Sequence, residues 1–285
     1  MLLAGPSVTH AGNDPALEAA LHDLIAKHKG DVAIAIRQLD GPVEYYRSAD
    51  TPMPTASLIK FPVMLTAYHQ AAQKTICLDD LVTLREEDKV PGSGILTEHF
   101  SAGTKIPLRD AIHLMIVFSD NTATNLVLDE IGIPATARYM ESLGFKETKI
   151  NAKVYRGGTT SIDPERTEKY GLGSTTAREM ATLFAQFERG ELASPEATAA
   201  MKAHLLACED HKKIARFLPD DVKYAHKTGS VNAARCDAGI LYLPDATVAI
   251  CVLTNNNQDE SWDKKNDAEI LCGKIGKAVI ERFAR

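Results

Sequence analysis

Two residues near the start of the chain could together form and break an acyl bond. Ser57 and Lys60 stand three residues apart in the apolar stretch "TASLIKFPVM". On a helix this spacing places both side chains on one face. A serine hydroxyl becomes a good nucleophile when a neighbouring base takes its proton, and a lysine whose pKa is lowered by burial can be that base. The same four residues also fit a helix N-cap followed by a surface lysine, so the pair alone leaves both interpretations open.

Two further polar groups stand where apolar residues are expected. The tripeptide Ser119–Asn121 interrupts a hydrophobic run and, taken singly, fits the N-cap of a following helix. The tripeptide Lys227–Gly229 lies on a predicted strand, where a glycine often marks a close backbone approach. If Lys227 lies near Ser57 as Lys60 does, the two lysines would lower each other's pKa and attract an anion.

Hydrophobic periodicity predicts the elements that must position these groups. Helices are predicted over residues 15–29, 57–73, 108–118, 119–132, 134–143, 176–189, 195–208 and 267–284. Strands are predicted over residues 31–39, 43–47, 223–230, 238–243 and 247–254, while 151–174 has no assignable pattern. Because strands cluster at both ends of the chain and a helix lies beyond each cluster, we expect an α+β fold in which terminal helices pack on an antiparallel sheet.

The helical middle of the chain predicts a second lobe, with a cleft between the lobes. We expect an α/β lobe of approximately residues 15–55 and 215–285 and a helical lobe of approximately 56–214. Since no linker separates them, residues 1–285 are expected to form a single cooperative unit.

Composition excludes several classes of function. The chain has 285 residues, 45% hydrophobic and 25% charged, with a net charge of −6 and no basic cluster, so we expect no nucleic-acid partner. No apolar run approaches the roughly 20 residues of a membrane span. The histidines have no metal-binding spacing and the five cysteines form no C-x-x-C pair, so we expect no metal and no cofactor.

The order of the three motifs resembles that of a known family. S-x-x-K on a helix, then S-D-N, then K-T-G on a strand is typical of class A β-lactamases and the related penicillin-recognising serine hydrolases. The resemblance extends over roughly residues 15–285 and includes "YYRSADTPMPTASLIKFPVML", "SDNTATNLVL" and "AHKTGSVNAARCDAGILYLPDATVAICVLT". It implies the serine β-lactamase/DD-peptidase fold, with a five-stranded antiparallel sheet, an all-helical lobe and a monomeric protein.

The same resemblance implies a role for each motif residue. Ser57 would be acylated, Lys60 would be its base or part of the proton relay, and Ser119 would pass a proton to the leaving nitrogen. Asn121 would hold the amide side chain of the substrate, and the backbone N–H groups of Ser57 and Ser230 would form the oxyanion hole. Lys227, Thr228 and Ser230 would bind the substrate's carboxylate, and Gly229 would let the substrate approach the strand edge.

The chain departs from the family at the group that hydrolyses the acyl-enzyme. Class A enzymes use a glutamate in an E-x-x-L-N motif, which segment 151–174 lacks. The segment offers Glu165 and Glu168 in "DPERTEKYG", which could replace that glutamate or be solvated charges. Arg235 stands where relatives place an arginine near the substrate carboxylate, and it could equally pair with Asp237.

These observations predict a serine hydrolase that opens β-lactam rings through an acyl-enzyme, with deacylation in doubt. The alternatives are a DD-peptidase-like or esterase-like hydrolase and a protein that binds a β-lactam or peptide without turnover. In each case the partner is a small β-lactam or peptide-like substrate. The resemblance implies a periplasmic or exported protein, but "MLLAGPSVTHAGNDP" lacks the basic and long apolar regions of a signal peptide, so a cytoplasmic location stays open.

Overall fold

A computed structural model describes residues 12–283 of the protein. The N-terminal segment 1–15, which lacks the features of a signal peptide, therefore lies largely outside the described residues. The helices are α1 (Pro15–Ala26), α2 (Lys60–Ala72), α3 (Leu96–His99), α4 (Leu108–Val117), α5 (Asn121–Ile131), α6 (Ile133–Ser142), α7 (Gly157–Thr160), α8 (Pro164–Tyr170), α9 (Ala177–Glu188), α10 (Pro195–Leu206) and α11 (Asp267–Phe283). The strands are β1 (Asp31–Gln38), β2 (Glu44–Arg47), β3 (Met53–Pro54), β4 (Leu81–Thr83), β5 (Lys105–Pro107), β6 (Lys149–Ile150), β7 (Gly173–Thr175), β8 (Lys223–Val231), β9 (Ala234–Leu243) and β10 (Ala246–Asn255).

The main sheet joins the two ends of the chain. Its five strands are antiparallel in the order β2-β1-β10-β9-β8, so β8 is an edge strand. Helices α1 and α11 pack on one face through a cluster of buried aliphatic residues. Asp14 caps α1 by accepting from the N–H of Leu17 at 3.0 Å, and it also accepts from Arg282 of α11 at 2.8 Å. The predicted α+β fold with terminal helices on a five-stranded sheet is confirmed.

The other face of the sheet packs against the helices of the central segment. Phe61 of α2 stacks on Phe184 of α9 with ring centroids 3.9 Å apart, inside the larger buried cluster. The predicted helices are present with ends shifted by a few residues, but Ser57 lies on a separate 3-10 turn, Ala56–Ile59, and α2 begins at Lys60. Two small sheets, β3-β7-β6 and β4-β5, were not predicted, because each strand has two or three residues, too few to show alternation.

The described residues also bear on the expectations about metals, membranes and disulfides. Within residues 12–283 no helix is long and apolar enough to cross a membrane, and no group of three or more metal-binding side chains is placed to hold an ion. The cysteines are unpaired: Cys77 is exposed, and the buried ones are Cys208, Cys236, Cys251 and Cys272.

Candidate active site

The 3-10 turn that carries Ser57 lies directly against strand β8. A Cβ atom on Gly229 would lie 2.2 Å from the carbonyl oxygen of Thr55 and 3.1 Å from the backbone nitrogen of Ser57. A residue with any side chain would therefore push the strand away from the turn. Ala56 has a φ of 43°, in the left-handed region that non-glycine residues rarely adopt. The contact between strand and turn fixes where Ser57 stands.

Lys60 is completely buried and its amine is held by acceptors. Its Nζ donates to the carbonyl oxygen of Ser119 at 2.7 Å and to Oδ1 of Asn121 at 2.9 Å, and lies 3.3 Å from Oγ of Ser119. Burial, and then the charge of Lys227, hold the pKa of Lys60 well below its usual range, although Asp120 opposes the shift. A neutral amine has two N–H groups, and two carbonyl oxygens account for both. Its lone pair is then free to accept a hydroxyl proton.

Ser119 connects the two buried lysines. Its Oγ lies 3.3 Å from Nζ of Lys60 and accepts from Nζ of Lys227 at 3.1 Å. Its backbone is also in the left-handed region, with a φ of 52°. Such conformations cost about 1–3 kcal/mol and cluster at functional sites. Burial is the main cause that lowers the pKa of Lys227. The hydroxyl can therefore accept from one amine while it donates to the other.

The N-cap interpretation of the second motif is also satisfied. Asp120 caps α5 by accepting from the N–H of Ala123 at 2.8 Å. Its second oxygen accepts from the N–H groups of Ile95 and Leu96 at 2.7 and 2.9 Å, which ties the loop before α3 to the site. Nδ2 of Asn121 donates to the carbonyl of Pro91 at 3.0 Å. The middle residue of the motif holds the backbone, while its neighbours face Lys60.

These groups border one large cleft, with a volume of about 1020 Å³. The predicted motif residues line it except Asp120, which caps α5, and Lys60, which lies beneath and is hydrogen-bonded to Ser119 and Asn121. Residues from the segment without a predicted pattern form the opposite side. The lining residues include Ser57, Ser119, Asn121, Lys227, Thr228, Gly229, Ser230, Tyr155, Thr167, Leu172, Cys208, Glu209, Asp210, Trp262 and Glu269.

The two candidate deacylating glutamates are not in the cleft. Glu165 and Glu168 lie on α8 with exposed side chains, and neither is among the lining residues. Helix α8 begins at Pro164, capped by Asp163 at 3.0 Å to the N–H of Arg166. It turns Thr167 toward the cleft and both glutamates toward solvent. Within residues 12–283 the carboxylates that line the cleft are Glu209, Asp210 and Glu269, which come from outside segment 151–174.

Arg235 matches neither expectation made for it. Its side chain is buried, donates to the carbonyls of Asn232 and Ser261 at 2.7 Å each, and is not among the cleft-lining residues. Its guanidinium lies 4.6 Å from the centre of the Trp262 ring. Asp237 instead accepts from the N–H of Ile214 at 2.9 Å and from the hydroxyl of Tyr224 on β8 at 3.1 Å, and it lies 3.0 Å from Nδ1 of His226. The guanidinium thus holds the loop after β10 in place.

Asp210 is a cleft residue that the sequence did not indicate. It accepts from Nζ of Lys213 at 2.7 Å and lines the cleft together with Thr228. Burial alone would raise its pKa, but the charge and hydrogen bond of Lys213 hold it far below its usual range. A negative charge of the protein therefore lies in the same cleft as Thr228, which was predicted to meet the substrate's carboxylate. The stretch "CEDHKK" has no spacing that marks a site, so only the place of Asp210 in the cleft shows it.

Comparison with known proteins agrees with this geometry. A profile described as the beta-lactamase enzyme family matches residues 16–283. The chain belongs to the β-lactamase enzyme family. Within the family it is 29% identical to β-lactamase L2 of Stenotrophomonas maltophilia, over 97% of this chain and 91% of that protein.

Solved structures place the fold in the same family. The crystal structure of a β-lactamase from Sphaerobacter thermophilus DSM 20745 superposes with a TM-score of 0.82 at 29% identity, covering 94% of this chain and 97% of the other. The structure of PBP-A superposes at 0.83 with 21% identity, covering 97% and 99%, and shows a shared fold. The predicted family, the predicted fold and the prediction of a β-lactamase-type hydrolase are confirmed.

Proposed function

We propose that this protein opens β-lactam rings by acylating Ser57, and that hydrolysis of the acyl-enzyme is the slow step. The observation that carries the proposal is the buried amine of Lys60. Two carbonyl oxygens hold its N–H groups, and burial lowers its pKa, which favours the neutral form whose lone pair can take the proton of an attacking hydroxyl.

The first chemical step follows from the positions of the motif residues. Oγ of Ser57 attacks the lactam carbonyl, and its proton passes to Nζ of Lys60. The C–N bond of the ring then breaks, and Ser119, which lies between the two lysines, gives its proton to the leaving nitrogen and takes the proton that Lys60 received, so that both side chains end the step neutral. Hydrogen bonds in a free site often shorten when substrate binds, so the Ser57–Lys60 contact is expected to form in the complex.

The same strand supports charge stabilisation in this step. Gly229 lets β8 lie against the nucleophile turn, so the N–H groups of Ser57 and Ser230 can both point toward the developing oxyanion. One such donor is commonly worth about 3–4 kcal/mol of the barrier. Lys227 adds a positive charge beside Ser119.

The site offers fewer catalytic groups for the second step, hydrolysis of the acyl-enzyme. Hydrolysis of the ester on Ser57 needs a base for water, and no side-chain carboxylate of residues 151–174 lines the cleft. Lys60, which is neutral again once Ser119 has relayed its proton, could act as this base, but it lies beneath the cleft and is not among the lining residues. We therefore infer that acylation is faster than release.

The test follows colour and mass together. Purified protein is mixed with a chromogenic cephalosporin, and the intact mass is measured as the colour develops. We expect a burst of about one equivalent, a covalent adduct and then slow turnover. Ser57→Ala should show neither burst nor adduct while keeping its circular dichroism spectrum. Absence of an adduct together with no burst in the unaltered protein would reject acylation of Ser57 by this β-lactam.

A second candidate function has one specific observation in its favour. Because the carboxylate of Asp210 lines the cleft together with Thr228, a substrate without a carboxylate would avoid repulsion from that charge. An ester or a neutral amide meets this condition, which favours the esterase-like alternative. Faster Ser57-dependent hydrolysis of a neutral chromogenic ester than of the cephalosporin would support it. Export, a monomeric state and a single cooperative unit remain predictions.

A further inference from the structure

Two histidines from distant parts of the chain face each other between α4 and α10. Nδ1 of His113 lies 3.0 Å from Nδ1 of His204, and the ring centroids are 5.1 Å apart with an interplanar angle of 64°. Both side chains are half-buried, so the pair borders solvent, and neither residue lines the cleft that contains Ser57. The two residues are 91 positions apart, so the spacing of histidines in the sequence gave no sign of the pair.

The hydroxyl of Tyr68 on α2 fixes the ring of His204. It lies 3.2 Å from Nε2 of His204, while Nδ1 of the same ring faces His113. Since both ring nitrogens have partners, turning the ring over would lose both hydrogen bonds. Tyr68 is 8% exposed and packs in the larger buried cluster, which holds its hydroxyl in place. The phenol oxygen can accept from Nε2–H, and this leaves the lone pair on Nδ1 of His204.

The distance between the two Nδ1 atoms matches the distance between two ligands of one metal ion. Imidazole nitrogens bind metals such as zinc at about 2.0–2.1 Å. Two nitrogens 3.0 Å apart would then subtend an angle of about 91–97° at the ion. Angles near 90° occur in the square-planar and octahedral coordination that Cu²⁺ and Ni²⁺ adopt. Tetrahedral coordination, which Zn²⁺ prefers, would need the two nitrogens further apart.

We propose that His113 and His204 form a binding site for a late first-row divalent metal ion such as Ni²⁺ or Cu²⁺, with Tyr68 as the group that orients one ligand. In the metal-free pair, one Nδ1 carries the hydrogen that the other accepts. In the bound form each neutral ring keeps one proton on Nε2, so both Nδ1 lone pairs bind the ion and no net proton is lost. Because the pair borders solvent, water completes the coordination. Asp110, one turn before His113 on the same face of α4, adds a favourable negative charge.

The ion would join two helices that both lead into the cleft. Helix α4 ends at Val117, two residues before Ser119, and α10 ends at Leu206, four residues before Asp210. The backbone N–H of Glu209 donates to the carbonyl oxygen of Val117 at 3.2 Å, so the chain after α10 already contacts the end of α4. A metal ion between the histidines would hold the helices together at a second point and would stabilise the folded protein.

The experiment titrates Ni²⁺ into untagged Cys77→Ser protein, which lacks the exposed thiol. Calorimetry near neutral pH, in a buffer that does not bind metals, should show one ion bound per chain. The thermal midpoint should rise by about 5 °C when free Ni²⁺ is about 100 times its Kd. His113→Gln and His204→Gln, each made in the Cys77→Ser background, should lose both the binding and the rise while keeping the circular dichroism spectrum.

Tyr68→Phe in the same background keeps both ligands and removes the hydroxyl that orients His204. We expect its affinity for Ni²⁺ to fall about 10–100-fold, the usual effect of losing a group that orients a metal ligand. A residue that only packed the core would not change Ni²⁺ affinity. His22→Gln controls for weak binding by surface histidines, since the His22 side chain is 68% exposed and lies beside Asp23. It should bind Ni²⁺ as the Cys77→Ser protein does.

Two results would overturn the proposal and leave an ordinary hydrogen bond between two histidines. One is no binding of Ni²⁺ by the Cys77→Ser protein, and the other is binding that survives both His113→Gln and His204→Gln. If the glutamine variants do not fold, Tyr68→Phe decides, because an unchanged affinity would place the ion elsewhere. The titration contains no β-lactam, so its result is independent of the proposed acylation of Ser57.

Discussion

The two sides of the cleft are built in different ways. The nucleophile wall consists of the turn Ala56–Ile59, the start of α5 and strand β8, and its amines are buried and hydrogen-bonded. The loop wall, residues 151–172, contributes Tyr155, Thr167 and Leu172 and directs its glutamates to solvent. In the mechanism that we propose, acylation needs the first wall, and activation of water for deacylation would need a carboxylate on the second. The difference indicates that the two steps depend on separate parts of the chain.

Replacing Lys60 should have the largest effect that leaves the nucleophile in place. Lys60→Ala removes the base, so we expect acylation to fall by about 10²–10⁴-fold. Stopped-flow mixing with the chromogenic cephalosporin measures it. In the unaltered protein, acylation should fall as pH drops through the pKa of Lys60, since protonation removes the lone pair, and this acidic limb should lie well below the usual lysine range.

Two results would contradict this account of Lys60. Acylation within about threefold of the unaltered rate in Lys60→Ala would show that another group takes the proton. An acylation rate that is still rising at pH 10 would show that Lys60 is charged at neutral pH.

Gly229→Ala tests whether the backbone contact between β8 and the turn Ala56–Ile59 positions Ser57 in the nucleophile wall. The new Cβ would meet the carbonyl oxygen of Thr55 and the nitrogen of Ser57, neither of which is a flexible side chain. A displacement of the strand on the order of 1 Å commonly costs about 10²-fold in rate. We expect acylation to fall by that amount with little change in thermal midpoint. Gly158→Ala, on the loop wall, is the matched control because an added Cβ there would meet no atom within 4 Å, and it should leave acylation within a fewfold of normal.

Asp210→Asn tests the charge at the carboxylate end of the cleft. Asparagine keeps an acceptor oxygen but removes the negative charge, so anionic β-lactams should acylate Ser57 several-fold faster, more so at low salt. A neutral ester should be unaffected, which makes it the control substrate. Equal gains for both substrates would mean that the effect is structural and not electrostatic.

The glutamates of the loop wall should have the smallest effect. Glu165→Gln and Glu168→Gln remove charges that face solvent, so the deacylation rate, followed by loss of the adduct mass, should change less than about twofold. A fall of tenfold in either variant would show that α8 turns its carboxylate into the cleft when substrate is bound, and would remove the contrast between the walls.

The sequence predicted the nucleophile wall well because its parts are local motifs in a fixed order. The amine of Lys60 meets Ser119, which is 59 residues further along the chain, and Lys227 meets the same hydroxyl across 108 residues. Spacing alone could not predict these contacts, and family resemblance supplied them. The sheet was predictable because β1, β9 and β10 are buried on both faces, and such strands show as short apolar runs bounded by turn residues.

The positions of several other side chains could not be predicted, because they depend on which groups each side chain reaches in the folded protein. Arg235 was expected near the substrate carboxylate or paired with Asp237, but its two terminal nitrogens donate to backbone carbonyls that include those of Asn232 and Ser261. Asp210 has no motif, and only its place in the cleft, next to Lys213, shows it. The orientation of Glu165 depends on a seven-residue helix whose start is set by Asp163.

The position of Trp262 has a practical consequence. It is the chain's one tryptophan, it is 67% exposed, and it lines the cleft beside the guanidinium of Arg235. Indole emission depends on the polarity around the ring and on nearby charge. The protein therefore carries its own optical reporter, whose emission should shift as a ligand enters the cleft, so occupancy can be followed without a chromogenic group or a label.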